Sequence, residues 1–322
     1  MNSKLFYGAL ASSKQAGLLK AERISRMLDC ETAEEAFKLA TEGGFGGGSA
    51  QTIEQAIAFE RNALAEFIKN ECPSEKLKKY LLCRYDFLNA ETLLKAKHIG
   101  FDCKEILIDC GLISPTFLRE SINADFYEEL PKPLASALTT ADKLFIDKTA
   151  DGFTINNLFV KAYYEYVLQL TKGSFLAQDV IKKIDCANLM TAVRCDGDVD
   201  LFDATFIEGG RISREKVSIL LSKDFTTAEK EFLFDDASEF VKLLAKDFAE
   251  GRALVLAESY ADSQAIKSLS QRRFDLTPTE EFYLYWLYKQ SQITNVNVIV
   301  VGLNSNADKA EIKMRMRESY EN

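Results

Sequence analysis

The chain has 322 residues, 47% of them hydrophobic, and a formal net charge of −9. This length exceeds one minimal core and suits two or three modules of about 100–150 residues. Because nucleic-acid-binding proteins normally present a basic surface, the negative charge argues against DNA or RNA as the main partner; it suits solubility or docking on a basic protein.

The cysteines and the apolar runs indicate a reducing compartment and no membrane span. The seven cysteines are scattered and form no Cys-x-x-Cys pair, so we expect reduced, mostly buried side chains in the cytosol. The first residues do not have the pattern of a signal peptide. Apolar runs fall short of the ~20 residues that a membrane helix needs, so any membrane association is expected to be peripheral.

Helical periodicity dominates the first half of the chain. Residues 33–40 are mostly strong helix formers that follow a Thr32 cap, and residues 53–68 carry an apolar face with charges between and beside it. The glycine-rich stretch 43–49 lacks the lysine of a phosphate-binding loop, so it predicts a flexible connection between helices. The apolar stripe over residues 158–170 predicts a helix of about four turns.

One stretch near the C-terminus is ambiguous. Residues 296–302 are rich in β-branched side chains and end at a glycine, which taken alone is typical of a buried strand. Only one glycine is present where a dinucleotide-binding fingerprint needs three. The stretch also continues from the apolar run 282–288 without a breaker, so we predict a helix.

A short phrase occurs twice, 99 residues apart. Each copy has an aspartate, an asparagine three residues later, and then a glycine followed three residues on by a serine. The repeat residues are Asp86, Asn89, Gly111 and Ser114, then Asp185, Asn188, Gly210 and Ser213, with Gln292 and Asn295 as a weaker third copy. Solenoid units usually span about 20–50 residues, so this longer period indicates a small domain copied along the chain.

The repeated residues have a functional and a structural interpretation. The functional interpretation is a polar site in each copy. In the structural interpretation, the aspartate lies near a helix start and the asparagine ties that helix to a neighbouring backbone segment. The glycine then ends one element and the serine caps the next helix. Recurrence at equivalent places favours the structural interpretation.

Residues suited to catalysis or metal binding are few. His98, the single histidine, stands near a predicted helix end, where capping or solvation is expected rather than base catalysis. The acidic run Asp196, Asp198, Asp200 and Asp203 lacks the glycine position and the twelfth-position glutamate of a calcium loop, so a solvated loop is expected. The sequence predicts no catalytic residue, no cofactor and no metal site.

The order and spacing of these features resemble the C subunit of V-type and archaeal A-type rotary ATPases, which is called the d subunit in eukaryotes. The resemblance rests on the repeated unit Asp-x-x-Asn, helix, Gly-x-Ile-Ser, and extends over essentially the whole chain. The best match is residues 292–302, followed by the final helix 310–317. Residues 7–45 also fit the family, with a first helix and an aromatic residue after the glycines.

Several positions depart from the family pattern. Gln292 stands where a glutamate is usual, Asn297 where an arginine is usual, and Leu303 where a lysine is usual. The usual N-terminal arginines are also missing around Ser12 and Ser13. Interface residues of relatives therefore do not carry over to this chain one by one.

The resemblance implies an all-α protein whose three similar helical modules form a funnel with pseudo-threefold symmetry. The expected modules are residues 1–118, 119–221 and 222–322. It implies a non-catalytic rotor subunit, peripheral on the cytoplasmic face of the membrane, with no transmembrane segment. The expected partners are the central-stalk subunits and the membrane proteolipid ring, and the expected role is to transmit torque for H⁺ or Na⁺ transport coupled to ATP hydrolysis or synthesis.

Two other interpretations stay open on the residues alone. A helical scaffold or adaptor of an unrelated assembly predicts a continuous concave groove. A helical enzyme predicts a deep polar pocket with perturbed ionisable groups. The rotor subunit predicts instead a wide cavity shared among three modules, without convergent charges.

Overall fold

The structure, a computed structural model, describes residues 2–321, and the regular elements in that range are all helical. A single isolated parallel bridge, between Lys20 and Tyr320, is seen in this part of the chain. The predicted all-α fold class is therefore confirmed. None of the described helices combines the length and the apolar character needed to cross a membrane.

The helices differ widely in length. In chain order they are α1 (Asn2–Ala16), α2 (Ala21–Asp29), α3 (Ala33–Glu42), α4 (Ile53–Glu71), α5 (Glu75–Ile99), α6 (Pro115–Asn123), α7 (Lys132–Ile146), α8 (Gly152–Thr171), α9 (Leu176–Cys195), α10 (Val199–Thr205), α11 (Arg214–Val217), α12 (Phe225–Glu231), α13 (Ser238–Ala249), α14 (Val255–Ser270), α15 (Pro278–Asn304) and α16 (Lys309–Met314). Two short 3₁₀ helices, Phe45–Gly48 and Ser218–Ser222, lie among them.

The chain divides into two compact units. Unit 1 comprises Met1–Ser74 and Glu231–Asn322, so it brings together both ends of the chain, and unit 2 comprises Glu75–Lys230. The three modules expected from the sequence have different boundaries from these units and stay a prediction.

Each unit has its own apolar core. In unit 1, side chains of α2, α3 and α15 pack together around the fully buried Met27 and Val296. In unit 2, side chains of α5, α6, α7 and α8 pack around Leu94, Leu118 and Leu138. Burying one large aliphatic side chain contributes roughly 1.5–3 kcal/mol, so each cluster stabilises its own unit substantially.

Helix α15 has 27 residues and contains the ambiguous C-terminal stretch. It begins with a capping box in which Thr277 and Glu280 each accept a hydrogen bond from the other's backbone N–H. Residues 296–302 lie within this helix, so the prediction of a helix there is confirmed. Val296, Ile299 and Val300 are buried in the core of unit 1, and this packing outweighs their preference for strands.

The glycine-rich stretch lies between α3 and α4 and makes a left-handed turn. Gly46 and Gly47 have φ of 68° and 70°, a region that favours glycine. The N–H of Gly46 donates to Oε1 of Glu60 at 2.8 Å, and Oε2 of Glu60 lies 2.6 Å from Nζ of Lys289. Glu60, a residue of α4, is buried and holds this turn through these contacts.

Candidate functional site

Three places in the structure share one arrangement, in which a polar pair on a long helix binds backbone segments outside that helix. We call them joints 1, 2 and 3. Joint 1 is built on Asp86 and Asn89 of α5, joint 2 on Asp185 and Asn188 of α9, and joint 3 on Gln292 and Asn295 of α15. Joints 1 and 2 lie in unit 2, and the α15 pair of joint 3 lies in unit 1.

The asparagine of each of the first two joints pairs with both hydrogen-bonding groups of one residue. Nδ2 of Asn89 donates to the carbonyl of Ile108 at 2.7 Å, and the N–H of Ile108 donates to Oδ1 of Asn89 at 2.9 Å. Asn188 makes the same two bonds with Ile207, at 2.8 and 2.9 Å. Both asparagines are 1% exposed, so each bond satisfies a polar group that is costly to leave unpaired.

The aspartates bind the same loops a few residues later. Oδ1 of Asp86 accepts the N–H groups of residues 112 and 113 at 2.9 and 3.0 Å. Oδ1 of Asp185 accepts those of residues 211 and 212 at 2.8 and 3.0 Å. The expectation that these aspartates lie near a helix start is wrong. Their helices begin about ten residues earlier, at Glu75 and Leu176, because each carboxylate binds a loop outside the helix and not the N-terminus of its own helix.

The glycine and serine of the repeat shape the loop that each aspartate binds. A Cβ atom at Gly111 would overlap Oδ1 of Asp86, and one at Gly210 would overlap Oδ1 of Asp185. The serines then cap the next helices. Oγ of Ser114 accepts from residue 117 at 3.2 Å at the start of α6, and Oγ of Ser213 accepts from residue 216 at 3.3 Å at the start of α11.

Joint 3 keeps the asparagine bonds but recruits the other end of the chain. Oδ1 of Asn295 accepts the N–H of Arg317 at 2.7 Å, and its Nδ2 donates to the Arg317 carbonyl at 3.0 Å and to Oγ of Ser319 at 3.1 Å. Oε1 of Gln292 accepts the N–H of Leu19 at 3.0 Å. Helix α2 begins two residues after Leu19, just as α6 and α11 begin shortly after the loops bound in joints 1 and 2.

The partners Leu19 and Arg317 were not identified by sequence reasoning. In joints 1 and 2 the bound loop follows the polar pair along the chain, whereas Leu19 precedes its Gln292 partner by 273 residues. Helix α2 has nine residues, like α6. With α2 in the place of α6, joint 3 has the same order of pair, loop and helix.

The joints differ in charge. Burial raises the pKa of the Asp185 carboxyl above its ordinary value, and the N–H groups of Ile212 and Arg211 oppose that shift without cancelling it. Gln292 in joint 3 accepts its hydrogen bond without a charge. An amide oxygen therefore serves in one joint at the position where the other two use a carboxylate.

His98 makes a contact that its position in the sequence did not predict. Its Nε2 lies 2.5 Å from Oδ1 of Asp142, its ring stacks on Phe145 with centroids 4.4 Å apart, and Tyr127 donates to Oδ2 of Asp142 at 2.7 Å. The expectation of a capping or solvated histidine is wrong, because the ring is packed between α5 and α7. Burial raises the pKa of Asp142, but the bonds from Tyr127 and His98 outweigh burial and lower that pKa overall.

Half of the acidic run is helical. Oδ1 of Asp198 accepts the N–H of Leu201 at 2.9 Å and caps α10, which carries Asp200 and Asp203. The expectation of a solvated loop is therefore wrong for Asp200 and Asp203, because Asp198 caps a helix that contains them, whereas Asp196 and Asp198 lie in the exposed turn before it. Within residues 2–321, histidine, cysteine and acidic side chains form no group suited to a metal ion.

The chemistry of the joints is that of structural contacts. In joints 1 and 2 the oxygens and nitrogens described above are used in bonds to the backbone, and the bonded groups are buried. An arrangement of this kind holds a loop against a helix and keeps the bonded atoms out of contact with solvent.

Comparisons of the chain with a family model and with individual proteins agree on one family. The family model described as ATP synthase (C/AC39) subunit matches residues 8–315. The C subunit of the V-type ATP synthase of Thermus thermophilus is 25% identical over 240 residues, which cover 70% of this chain and 73% of that protein. The C subunit of the V-type sodium ATPase of Enterococcus hirae is 22% identical over 285 residues, covering 85% of this chain and 84% of that protein.

Proposed function

The chain belongs to the ATP synthase (C/AC39) subunit family, and from that premise we propose that it links the central shaft of a V-type ATPase to the membrane proteolipid ring and transmits torque between them. It is a non-catalytic subunit of such a complex, not an enzyme in its own right. The torque drives ion transport, of H⁺ or Na⁺, coupled to ATP hydrolysis or synthesis.

The observation that carries this proposal is the set of three joints. A body that passes torque must resist sliding between its helices and loops. Each joint fixes a loop to a long helix through buried, paired hydrogen bonds, and the asparagine bonds recur in all three. Buried networks of satisfied polar groups make a structure rigid and define one arrangement.

We also propose that the joints mark three similar modules arranged with pseudo-threefold symmetry into a funnel. Joints 1 and 2 are spaced by 99 residues. Joint 3 includes Leu19, so the third module takes part of its structure from the N-terminal segment. This assignment refines the boundaries predicted from the sequence, 1–118, 119–221 and 222–322.

The location follows from the same proposal. The protein lies on the cytoplasmic face of the membrane as a peripheral subunit, in contact with central-stalk subunits and with the ring. The net charge of −9 suits docking on basic loops, because complementary charge speeds association and fixes orientation.

A purification from native membranes tests the partners. The tagged chain, captured from detergent-solubilised membranes, is expected to bring both the proteolipid and the ATPase head subunits. Absence of both would exclude the proposal. Washing at low and at high salt tests the proposed docking on basic loops, since surface charge pairs are screened over about 8 Å at physiological ionic strength. Equal retention at both salt concentrations would refute the electrostatic contribution but leave the rest of the proposal standing.

Omission and return of the subunit test the torque. Vesicles carrying the ATPase without this chain are expected to hydrolyse ATP with little ion transport, and addition of the purified chain is expected to restore transport. Transport that is complete before the addition would show that the chain does not couple the two reactions.

A further inference from the structure

Residues 315–320, which follow α16 and which we call the strap, lie against α14 in unit 1. Oγ of Ser259 donates to the carbonyl of Met316 at 2.5 Å, and Oγ of Ser263 accepts the N–H of Glu318 at 3.2 Å. Both serines belong to α14 and are one helical turn apart, so they lie on the same face of that helix. Helix α14 therefore binds the backbone of the strap and adds to the contacts of joint 3.

Helix α15 binds the strap from a second side. Oγ of Ser291 donates to the carbonyl of Glu318 at 2.5 Å, and Asn295 binds both backbone groups of Arg317, as described for joint 3. Ser291 and Asn295 are buried, so each bond satisfies a polar group that is costly to leave unpaired. The strap is thus held through its backbone by polar side chains of two helices.

The side chains of the strap contribute little buried apolar surface. Nε of Arg317 donates to Oδ2 of Asp262 at 2.8 Å, and the ring of Tyr320 packs edge-on against Tyr288 with centroids 5.2 Å apart. Met316 packs against the core of unit 1 but is only partly buried, and none of the strap side chains is fully buried. Segments with few buried apolar contacts are those that open locally while the rest of a protein stays folded.

The strap also supplies an acceptor for the first N–H of α2. The N–H of Ala21 donates to the carbonyl of Tyr320 at 3.0 Å, and Lys20, the residue before α2, makes no capping bond with its side chain. Helices α6 and α11 are instead capped by Ser114 and Ser213, which belong to their own loops. Because the first N–H groups of a helix have no partner within it, the start of α2 depends on a segment that is distant in the sequence.

We propose that the strap is a latch in unit 1, which opens as one piece while α14 and α15 stay packed, and whose opening uncaps α2. In joints 1 and 2 a single loop supplies both the residues that the polar pair binds and the serine that caps the next helix. In joint 3 two separate segments supply these groups. The strap can therefore leave while α2 and α16 stay anchored through the buried Met27 and Ile312. This inference does not rest on the proposed function.

Amide hydrogen exchange of the full chain at low urea concentrations tests the latch without a substitution. The amides of Arg317 and Ala21 are expected to have protection factors within about threefold of each other and nearly independent of urea, because one small opening exposes both. Exchange at Val296, inside α15, is expected to be slower and to rise steeply with urea, because it requires a large exposure of surface. If Arg317 and Ala21 show the urea dependence of Val296, the strap opens only when unit 1 unfolds, and the proposal is overturned.

Two double variants weaken the strap from opposite sides. Ser259→Ala with Ser263→Ala removes the bonds from α14, and Arg317→Ala with Tyr320→Ala removes the contacts of the strap side chains. Both variants keep the bond between the N–H of Ala21 and the carbonyl of residue 320. Each is nevertheless expected to speed exchange at Ala21 by about tenfold or more, because the latch is open more often. Faster exchange at the strap amides alone, with Ala21 unchanged, would show that the strap does not control α2 and would refute the latch.

Ser305→Ala is the matched control in the same unit. Oγ of Ser305 donates to the carbonyl of Val301 at 2.9 Å at the end of α15 and does not contact the strap. This variant is expected to change exchange at Ala21 by less than about twofold. An equal acceleration in Ser305→Ala would mean that any lost hydroxyl bond in unit 1 exposes Ala21, which would also refute the latch. Circular dichroism and urea midpoints verify that each variant is folded.

Discussion

Joints 2 and 3 contain the same asparagine bonds but are closed in different ways. In joint 2, Asn188 binds Ile207, 19 residues further along the same segment. In joint 3, the N–H that Gln292 accepts belongs to Leu19, 273 residues away. Because the entropy of closing a loop rises with the logarithm of its length, the longer closure costs about 2 kcal/mol more.

This difference makes joint 3 dependent on the core around it. Leu19 is buried in the cluster that also contains Val296 and Ile299 of α15, so apolar burial offsets the entropy of bringing the two chain ends together. Joint 2 is closed by sequence neighbours and needs less help of this kind. We therefore expect the bonds of joint 2 to contribute directly to the stability of unit 2, and the Gln292 bond of joint 3 to report on docking of the N-terminal segment.

The largest expected effect is at joint 2. Asn188→Ala removes two hydrogen bonds and leaves the buried N–H and carbonyl of Ile207 without a partner. At about 1–3 kcal/mol for each unsatisfied group, the variant is expected to lose about 3–5 kcal/mol of unfolding free energy in urea. The exposed Asn123 provides the control, and Asn123→Ala is expected to change stability by less than about 0.5 kcal/mol. Similar losses of stability at both positions would show that the bonds of Asn188 do not hold the loop against α9.

The second-largest loss of stability is expected at Gly210, the glycine of joint 2. Gly210 does not have a positive φ, so Gly210→Ala tests the close approach of Asp185 without backbone strain. The new Cβ displaces the carboxylate, and loss of its two backbone bonds is expected to cost about 2–3 kcal/mol in urea unfolding.

Gly152 is the matched position for that substitution. It begins α8, has no atom near its missing Cβ and has no positive φ. Gly152→Ala is therefore expected to be neutral or to stabilise by up to about 1 kcal/mol, since it reduces the freedom of the unfolded chain. If Gly210→Ala loses no more unfolding free energy than Gly152→Ala, the loop can move away from Asp185 without loss of stability.

Joint 3 is expected to give a smaller loss with a local signature. Gln292→Met keeps the size of the side chain but leaves the N–H of Leu19 buried without an acceptor, at a cost of about 1–2 kcal/mol. Amide hydrogen exchange at Leu19 is expected to speed up more than exchange at Ile207. Gln51→Met, at an exposed position, is the control. Unchanged protection at Leu19 would show that Gln292 does not hold the N-terminal segment.

Patterns within a short stretch of sequence predicted their structures well. Thr32 caps α3 and accepts the N–H of Glu35 at 3.2 Å, as its place before a run of helix formers predicted. Residues 296–302 are helical because an apolar run without a breaker continues the helix already formed. Both depend on neighbours within a few turns, which a single sequence displays.

Pairings between distant residues could not be predicted in this way. His98 and Asp142 are separated by 44 residues, and Leu19 and Gln292 by 273. Neither separation corresponds to a helical or repeat period, so no spacing in the sequence marks the pair. The repeat did identify Asp86 and Asn89, but not their depth inside α5, because the spacing of the pair does not show how far before it the helix begins.

The smallest expected effect concerns the charge by which joints 2 and 3 differ. Burial raises the pKa of Asp185 in the folded chain above its ordinary value of 3.8. Folding therefore favours the protonated carboxyl, so the contribution of this residue to stability is full below pH 3.8 and is lost as pH rises through the higher folded pKa. Asp185→Asn has no such titration, and its amide oxygen can accept the same N–H groups, as the amide of Gln292 accepts in joint 3.

Urea unfolding at a series of pH values measures this difference. The unmodified chain is expected to lose unfolding free energy relative to Asp185→Asn across that window. At neutral pH the difference between the two proteins is expected to be constant, because the other titrating groups contribute equally to both. A difference that grows in the opposite direction would mean that the two backbone N–H bonds outweigh burial and that the carboxylate is preferred at joint 2.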